Sequence, residues 1–125
     1  MTKRNEIPYA QLEKIFHEPN RLAIMSAVCA ADRGIAFTDL RDACRLTDGN
    51  LNRHLKVLEE AGVIRIEKAF VDDKPRTTIR MTKKGFIRFN EYLAALADVL
   101  ERARAALPAE QPASGALPLA RTVRA

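Results

Sequence analysis

Between Leu46 and Met81 the apolar residues change their spacing once, from helical to extended, with Gly62 at the switch. Leu51, Leu55 and Leu58 recur at i, i+4 and i+7, which is one face of an α-helix. From Ile64 onward VIRIEKAF alternates Ile64 and Ile66 against Arg65 and Glu67. RTTIRM alternates again, with Thr77, Ile79 and Met81 on one side, the period of a half-buried strand. Between them VDDKP reads as a polar turn, because Pro75 has no N–H to give a strand ladder. Two strands alone are barely stable in water, so the hairpin has to pack on helices. The expected fold class is therefore mainly α with a small β-hairpin.

The helix before the hairpin, LTDGNLNRHLKVLEE, begins badly. Asp48, Gly49 and Asn50 are poor helix formers, and Asp-Gly favours a hairpin turn. The surrounding residues decide for a helix. Thr47 suits the N-cap, Leu46 at N′ can staple to Leu51 at N4, and Asp48 at N1 suits the positive end of the helix dipole. Gly62 supplies the C′ stop. The helix spans 47–61, and its weak first turn fits a close approach to a ligand.

Pro8 fits the first turn of a helix carrying Tyr9, Leu12 and Phe16 on one stripe. A second helix opens at Pro19 and is expected to turn Leu22, Met25, Val28 and Cys29 inward, ending by Gly34. Thr38 is the expected N-cap of the short segment TDLRDACR, which buries Leu40 and Cys44. After the hairpin, Thr82 caps a helix over 82–107 whose Phe86, Phe89, Leu93, Leu96, Leu100, Ala103 and Leu107 repeat as an a/d heptad seam. Such a helix is about 39 Å long, more than a domain of this size covers by itself. Ile87, Tyr92 and Val99 form a second stripe able to face the chain's own core. Two apolar faces on one helix favour a homodimer. Its expected interface combines Tyr9, Leu12 and Phe16 with Phe89, Leu93, Leu96, Leu100 and Leu107. From Pro108 the chain becomes rich in Pro and Ala without a pattern, so 1–107 reads as one domain and 108–125 as a disordered tail.

Composition narrows the function classes. With 125 residues, 47% hydrophobic and 30% charged, the chain is globular rather than disordered. No apolar run approaches the roughly 20 residues of a membrane span, and MTKRNEIPYA lacks the apolar core of a secretory signal. The expected location is the cytoplasm, with no membrane partner. Cys29 and Cys44 read first as small buried hydrophobes and second as a redox pair. No metal site is expected, since His17 and His54 stand at no ligand spacing, and no cofactor is implied. The stretch from Arg45 to Arg88 holds eleven Lys/Arg against six Asp/Glu, an excess of five. The remaining ten basic and ten acidic residues cancel, so this stretch carries the whole net charge of +5. A localised basic face points to a polyanion, with nucleic acid the first candidate.

A short helix joined by a few residues to a second helix is a helix-turn-helix unit, and a following hairpin makes it winged. The run FTDLRDACRLTDGNLNRHLKVLEEAGVIRIEK, followed by a basic hairpin and TKKG, resembles winged helix-turn-helix transcriptional regulators of the MarR/ArsR-like superfamily. It is most similar to the small MarR-like group whose recognition helix starts L-T-D-G-N-L. The resemblance covers about residues 8–100. It implies a long C-terminal dimerisation helix and a homodimer on a pseudo-palindromic duplex DNA operator, one recognition helix per half-site. Metal-sensing relatives carry a dense cysteine motif before the recognition helix, where this chain has only Cys44. No residue pattern identifies a small-molecule effector.

The residues allow the same chemistry. With Leu51, Leu55 and Leu58 buried, the helix shows Gly49, Asn50, Asn52, Arg53 and Lys56 on its outer face. Asn can pair with adenine and Arg with guanine in the major groove, which admits a helix. Lys56 suits phosphate, and the free N–H groups of the first turn, from Thr47 and Asp48 onward, can also hold one. Lys74 and Arg76 flank Pro75 on a wing (71–76) suited to backbone or minor-groove contact, although Asp72 and Asp73 weigh against deep insertion. Thr38 can reach phosphate, but capping alone accounts for it. His54 lies beside the buried stripe and reads as a packed histidine, and Asn50 can equally serve the helix start. An acidic protein partner is the competing explanation of the basic face, since fold does not fix function. An enzyme is not expected, because no phosphate loop, nucleophile elbow or HExxH motif is present.

Overall fold

The structure is a computed structural model that describes residues 13–108. After a turn at 14–16, helix α1 spans Pro19–Ala30 and a short strand β1 spans Ile35–Ala36. Helices α2 (Phe37–Cys44) and α3 (Asp48–Glu60) follow, then strands β2 (Ile64–Val71) and β3 (Lys74–Met81), and finally helix α4 (Lys83–Ala106). This is a winged-helix fold with a long C-terminal helix. The helix expected around Pro8, Tyr9 and Leu12, and the tail beyond Pro108, lie outside the described residues.

The sheet has three antiparallel strands in the order β1-β3-β2. Two strands were expected. The third is the two-residue β1, whose Ile35 and Ala36 pair with Ile79 and Thr78 and so give β3 a neighbour on each side. This pairing also corrects the start of α2. The helix leaves the strand at Phe37 with Ala36 as its N-cap and no side-chain cap, so Thr38 sits inside the first turn instead of capping it. The turn of the wing is tighter than VDDKP implies. Only Asp72 and Asp73 lie between the strands, with φ of 53° and 65°. Positive φ at both central residues is what a two-residue type I′ hairpin turn requires, and Asp tolerates that region better than most residues.

The leucine stripe of α3 is lost to solvent: Leu51, Leu55 and Leu58 pack with Ile24, Met25, Val28, Leu40, Val63 and Ile79 in one core. Thr47 caps as expected, its Oγ1 accepting from the N–H of Asn50 at 3.1 Å. Gly62 ends the register with φ +79°. On α1 the buried residues are Ile24, Met25 and Val28, while Cys29 is exposed rather than inward. A one-residue step past Val28 turns it about 100° off the core face.

Phe16 is fully buried within its own chain, and this removes it from the expected dimer face. Its ring meets Phe89 edge-on at 5.4 Å and Tyr92 at 5.6 Å, and Phe89 stacks on Tyr92 at 6.0 Å. Phe89, only 2% exposed, leaves the interface list for the same reason. A hydrogen bond of 2.9 Å joins His17 Nδ1 to the Tyr92 hydroxyl, and burial pushes that phenol above its usual pKa. The two stripes of α4 are thus sorted differently from the sequence pattern. Gly85, Phe89, Tyr92 and Ala95 face the core, whereas Phe86, Leu93, Leu100 and Leu107 stand exposed at intervals of seven. Ile87 is also exposed and Val99 half-buried, so of that stripe only Tyr92 serves the core.

The start of α4 is locked to the end of α3. Thr82 Oγ1 accepts from the Gly85 N–H at 2.9 Å while its hydroxyl donates to the Gly62 carbonyl at 2.7 Å. The Thr82 N–H donates to the Val63 carbonyl at 3.2 Å. A Cβ on Gly85 would stand 2.0 Å from that same carbonyl oxygen, so backbone touches backbone here. Gly85→Ala is expected to lower stability by roughly 1–3 kcal/mol, although Ala favours a helix interior by up to ~1 kcal/mol. Urea unfolding of the variant decides it, and a midpoint at or above that of the native chain would refute the close packing.

Candidate nucleic-acid interface

Burial of the leucine stripe fixes the rotation of α3, and everything offered to a ligand follows from it. Thr47, Asp48, Gly49, Asn52, Arg53 and Lys56 are exposed and Asn50 is half-buried. His54 is 8% exposed, with the Arg21 guanidinium donating to its Nδ1 at 3.3 Å. It is a packed histidine, as the sequence pattern implied.

The first turn is organised by side chains that were read separately. Thr47 caps the N–H of Asn50, so the Asn50 side chain is free of that duty. Its Oδ1 instead accepts from Arg53 Nη2 at 2.7 Å, one helical turn on. This i,i+3 pair holds the guanidinium over the outer face of the helix and leaves the Asn50 amide N–H groups and most of the Arg53 fork open. Asp48 has a different partner. Its Oδ1 accepts from Arg41 of α2 at 2.9 Å, and Arg41 also bonds Asp42 at 2.9 Å. The two carboxylates hold Arg41 firmly charged. Asp48 therefore ties α2 to α3, and the pairing offsets a negative charge that would repel phosphate.

Gly49 faces open space: an added Cβ would meet nothing within 4 Å, and its φ is not positive. Neither strain nor crowding inside the chain requires glycine there.

The wing stands across a cleft from α3. Side chains opposite one another in β2 and β3 share a face, so Ile64/Met81, Ile66/Ile79, Lys68/Thr77 and Phe70/Pro75 lie on one side. Arg65/Arg80, Glu67/Thr78, Ala69/Arg76 and Val71/Lys74 lie on the other. An open cleft of about 590 Å³ runs between this first side and α3, lined by Phe37, Asn52, Leu55, Glu59, Ile66, Lys68 and Thr77. A second groove of about 520 Å³ joins Thr38 at the start of α2 to Val71, Lys74, Pro75 and Arg76 of the wing. Phe37 and Thr77 line both. The structure thus brings Thr38, Asn52, Lys74 and Arg76 onto one connected surface.

Not all the basic residues in this stretch are available. Arg80 is paired with Glu67 at 2.7 Å, with Arg65 on the same carboxylate at 3.6 Å, and the Arg80 bond holds Glu67 below the usual carboxylate range. Arg88 pairs with Glu13. Among the described residues Arg53, Lys56, Lys68, Lys74 and Arg76 form no ion pair. Lys68 was missed in the sequence, although continuing the period-two count from Ile64 and Ile66 would have put it on the α3 side. Arg41 was missed because its role rests on two carboxylates, one of them seven residues away. Cys44 is half-buried and burial pushes its thiol up, which lowers the reactive thiolate fraction.

A helix-turn-helix whose second helix presents amides and a guanidinium beside a basic hairpin is a winged-helix module of the nucleic-acid-binding class. The family model for the winged helix DNA-binding domain matches residues 20–100, and the chain belongs to that family. An uncharacterized protein of Methanocaldococcus jannaschii is 35% identical over 80 residues, covering 64% of this chain and 86% of that protein. The structure of a transcriptional regulator homologue from Pyrococcus horikoshii OT3 is similar at TM-score 0.69 and 29% identity, over 76% of this chain and 94% of that one. A MarR-family transcriptional regulator from Silicibacter pomeroyi shares the fold at TM-score 0.57 and 19% identity, over 82% and 70%. The chain is MarR-like in fold. No helix among the described residues is long and apolar enough to cross a membrane.

Because Gly49 is unconstrained by its own chain, Gly49→Ala is expected to keep the fold and to stabilise α3 by up to ~1 kcal/mol. The same change should weaken DNA binding if the first turn enters the groove. Thermal unfolding and a titration with labelled duplex separate the two effects, and unchanged affinity would place the first turn away from DNA.

Proposed function

We propose that this chain is a homodimeric, sequence-specific regulator of transcription that binds duplex DNA and represses by occluding a promoter. The observation that carries the reading is the face of α3 left by the buried leucines. It presents Asn50, Asn52, Arg53 and Lys56 beside a wing bearing Lys68, Lys74 and Arg76. In this reading Asn50, Asn52 and Arg53 meet base edges in the major groove and Lys56 meets phosphate. Thr38, Thr47 and the first N–H groups of α3 hold the backbone, and Lys74 and Arg76 follow it along the wing. In this reading the L-T-D-G-N-L start is that of the small MarR-like group, and the protein acts in the cytoplasm.

Two recognition helices are needed to read a pseudo-palindromic operator. Support for a dimer comes from α4, a helix of 24 residues and thus about 36 Å. Every residue from Leu100 to Ala106 is exposed, and Leu93, Leu100 and Leu107 carry 37%, 51% and 59% exposure at heptad spacing. Monomeric proteins rarely leave such a row uncovered. Leu93, Leu100 and Leu107, with the half-buried Leu96, are the interface in this reading. In this reading the domain division stays at 1–107 and 108–125, the latter having no role beyond weak electrostatics from Arg121 and Arg124.

Fluorescence anisotropy with the DNA upstream of the chain's own coding sequence tests the proposal. A preference over random duplex is expected, and binding without preference would defeat it. If the dimer neutralises about 6–10 phosphates, affinity should fall roughly 10³–10⁵-fold between 50 and 200 mM salt. Arg53→Ala should cost about 1–3 kcal/mol, concentrated at one base position, whereas Lys56→Ala should weaken all sequences alike.

A further inference from the structure

Phe70 is the most exposed large hydrophobic residue described, at 77%. It belongs to the wing, directly across the ladder from Pro75, and the two form an apolar pair near the end of the hairpin. Both lie on the side of the sheet that carries Ile66, Lys68 and Thr77 and faces α3 across the cleft. Nothing in the fold calls for a phenyl ring there. The core ends at Ile66 and Ile79, and the next pair outward is already Lys68 and Thr77.

We propose that Phe70, backed by Pro75, is a minor-groove contact: it packs side-on against deoxyribose when α3 occupies the adjacent major groove. The inference rests on the DNA-binding reading above. The distances fit it. Phe70 stands four strand residues beyond Ile66, about 13 Å, and the side chain adds further reach. Neighbouring major and minor grooves are about half a helical turn apart, roughly 17 Å.

The charges fit the minor groove better than an apolar protein surface. Lys68 precedes Phe70 by two residues on the same face, while Lys74 and Arg76 flank Pro75 in sequence and point from the other side of the ladder. All three are free of ion pairs among the described residues, so cations stand on both sides of the strand that carries the apolar pair. That is the arrangement for a ring on sugar with phosphates on either side. The acidic turn sets the direction of approach. Asp72 and Asp73 form the apex, where a head-on insertion would drive two carboxylates toward phosphate. A side-on approach keeps them at the end of the wing and brings the Lys68–Phe70–Pro75 face to the backbone. The other exposed apolar row, on α4, belongs to a separate element and is assigned above to the second copy of the chain.

Phe70→Ala removes a side chain that is 77% exposed, so the variant should unfold close to the native temperature and keep the native oligomeric state. Binding to the upstream duplex should weaken roughly tenfold. The dependence of affinity on salt should keep its native slope, because a phenyl ring neutralises no phosphate. Lys74→Ala should instead make that slope shallower. Hydroxyl-radical footprinting reads the contact itself, since the radical attacks deoxyribose from the minor groove. Protection flanking the major-groove contacts should be present with the native chain, restored by Phe70→Trp and missing with Phe70→Ala. Native affinity and an unchanged footprint for Phe70→Ala would overturn the inference while leaving the DNA-binding reading in place. Dissociation of the dimer by Phe70→Ala would also overturn it, assigning the ring to the partner copy. Failure of the native chain to prefer any upstream duplex would remove both readings together.

Discussion

Leu51, Leu55 and Leu58 give up their contact with water completely, and that burial orients the molecule. Three leucines removed from water contribute several kcal/mol, more than any surface contact of α3 can oppose. A rotation of the helix by one residue would expose the stripe and bury Asn52 or Lys56 without partners. The outward face is therefore set by hydrophobic burial. Thr47 then fixes where the helix begins, and the Arg41 bridge to Asp48 fixes its relation to α2. The Arg41 pairs are exposed and individually weak, so their effect is one of geometry more than stability.

A second constraint runs through backbone. Helix α3 and the wing are attached to opposite ends of one short segment, 61–64, and Gly85 brings the α4 backbone against Val63 in its middle. Thr82 bonds both sides of this contact. Helix α3, the wing and α4 are consequently anchored on the same few atoms.

The sequence revealed most of this where a local period was complete. The α3 stripe, both threonine caps and the hairpin alternation depend on neighbours within four residues, and all are present in the structure. What it concealed depends on partners far along the chain. A two-residue strand at Ile35–Ala36 has no period to detect, and it exists because Thr78 and Ile79 of β3, far along the chain, lie beside it. Thr38 looked like a cap because the competing strand was invisible. Phe16 and Phe89 fitted a seam by spacing, yet an aromatic cluster with Tyr92 takes both inside. A 3-4 repeat on a long helix satisfies an intrachain core and an interchain seam equally well, and spacing alone cannot apportion its positions. The outward face of α3 was legible for the opposite reason: Asn52, Arg53 and Lys56 are what remains exposed after the buried leucines are subtracted.

The same subtraction applied to the wing explains why its apolar pair went unnoticed. The alternation is plain only through Glu67, so Phe70, at the end of VIRIEKAF, gains no side from the sequence, and the charges of Lys74 and Arg76 take precedence. In the folded hairpin the turn is only Asp72 and Asp73, and the ladder continues through Val71 and Lys74. Two more pairs thereby become strand, with a defined side. Pro75 acquires a place opposite Phe70 that a turn would not have given it, on the side of the ladder that faces α3. A wing charged at its flanks, apolar on its inner side and acidic at its apex is poorly matched to deep insertion and well matched to lying along a groove. Sequence preference in such a contact would come from groove width more than from base edges, because sugars carry no code and the minor groove carries a degenerate one.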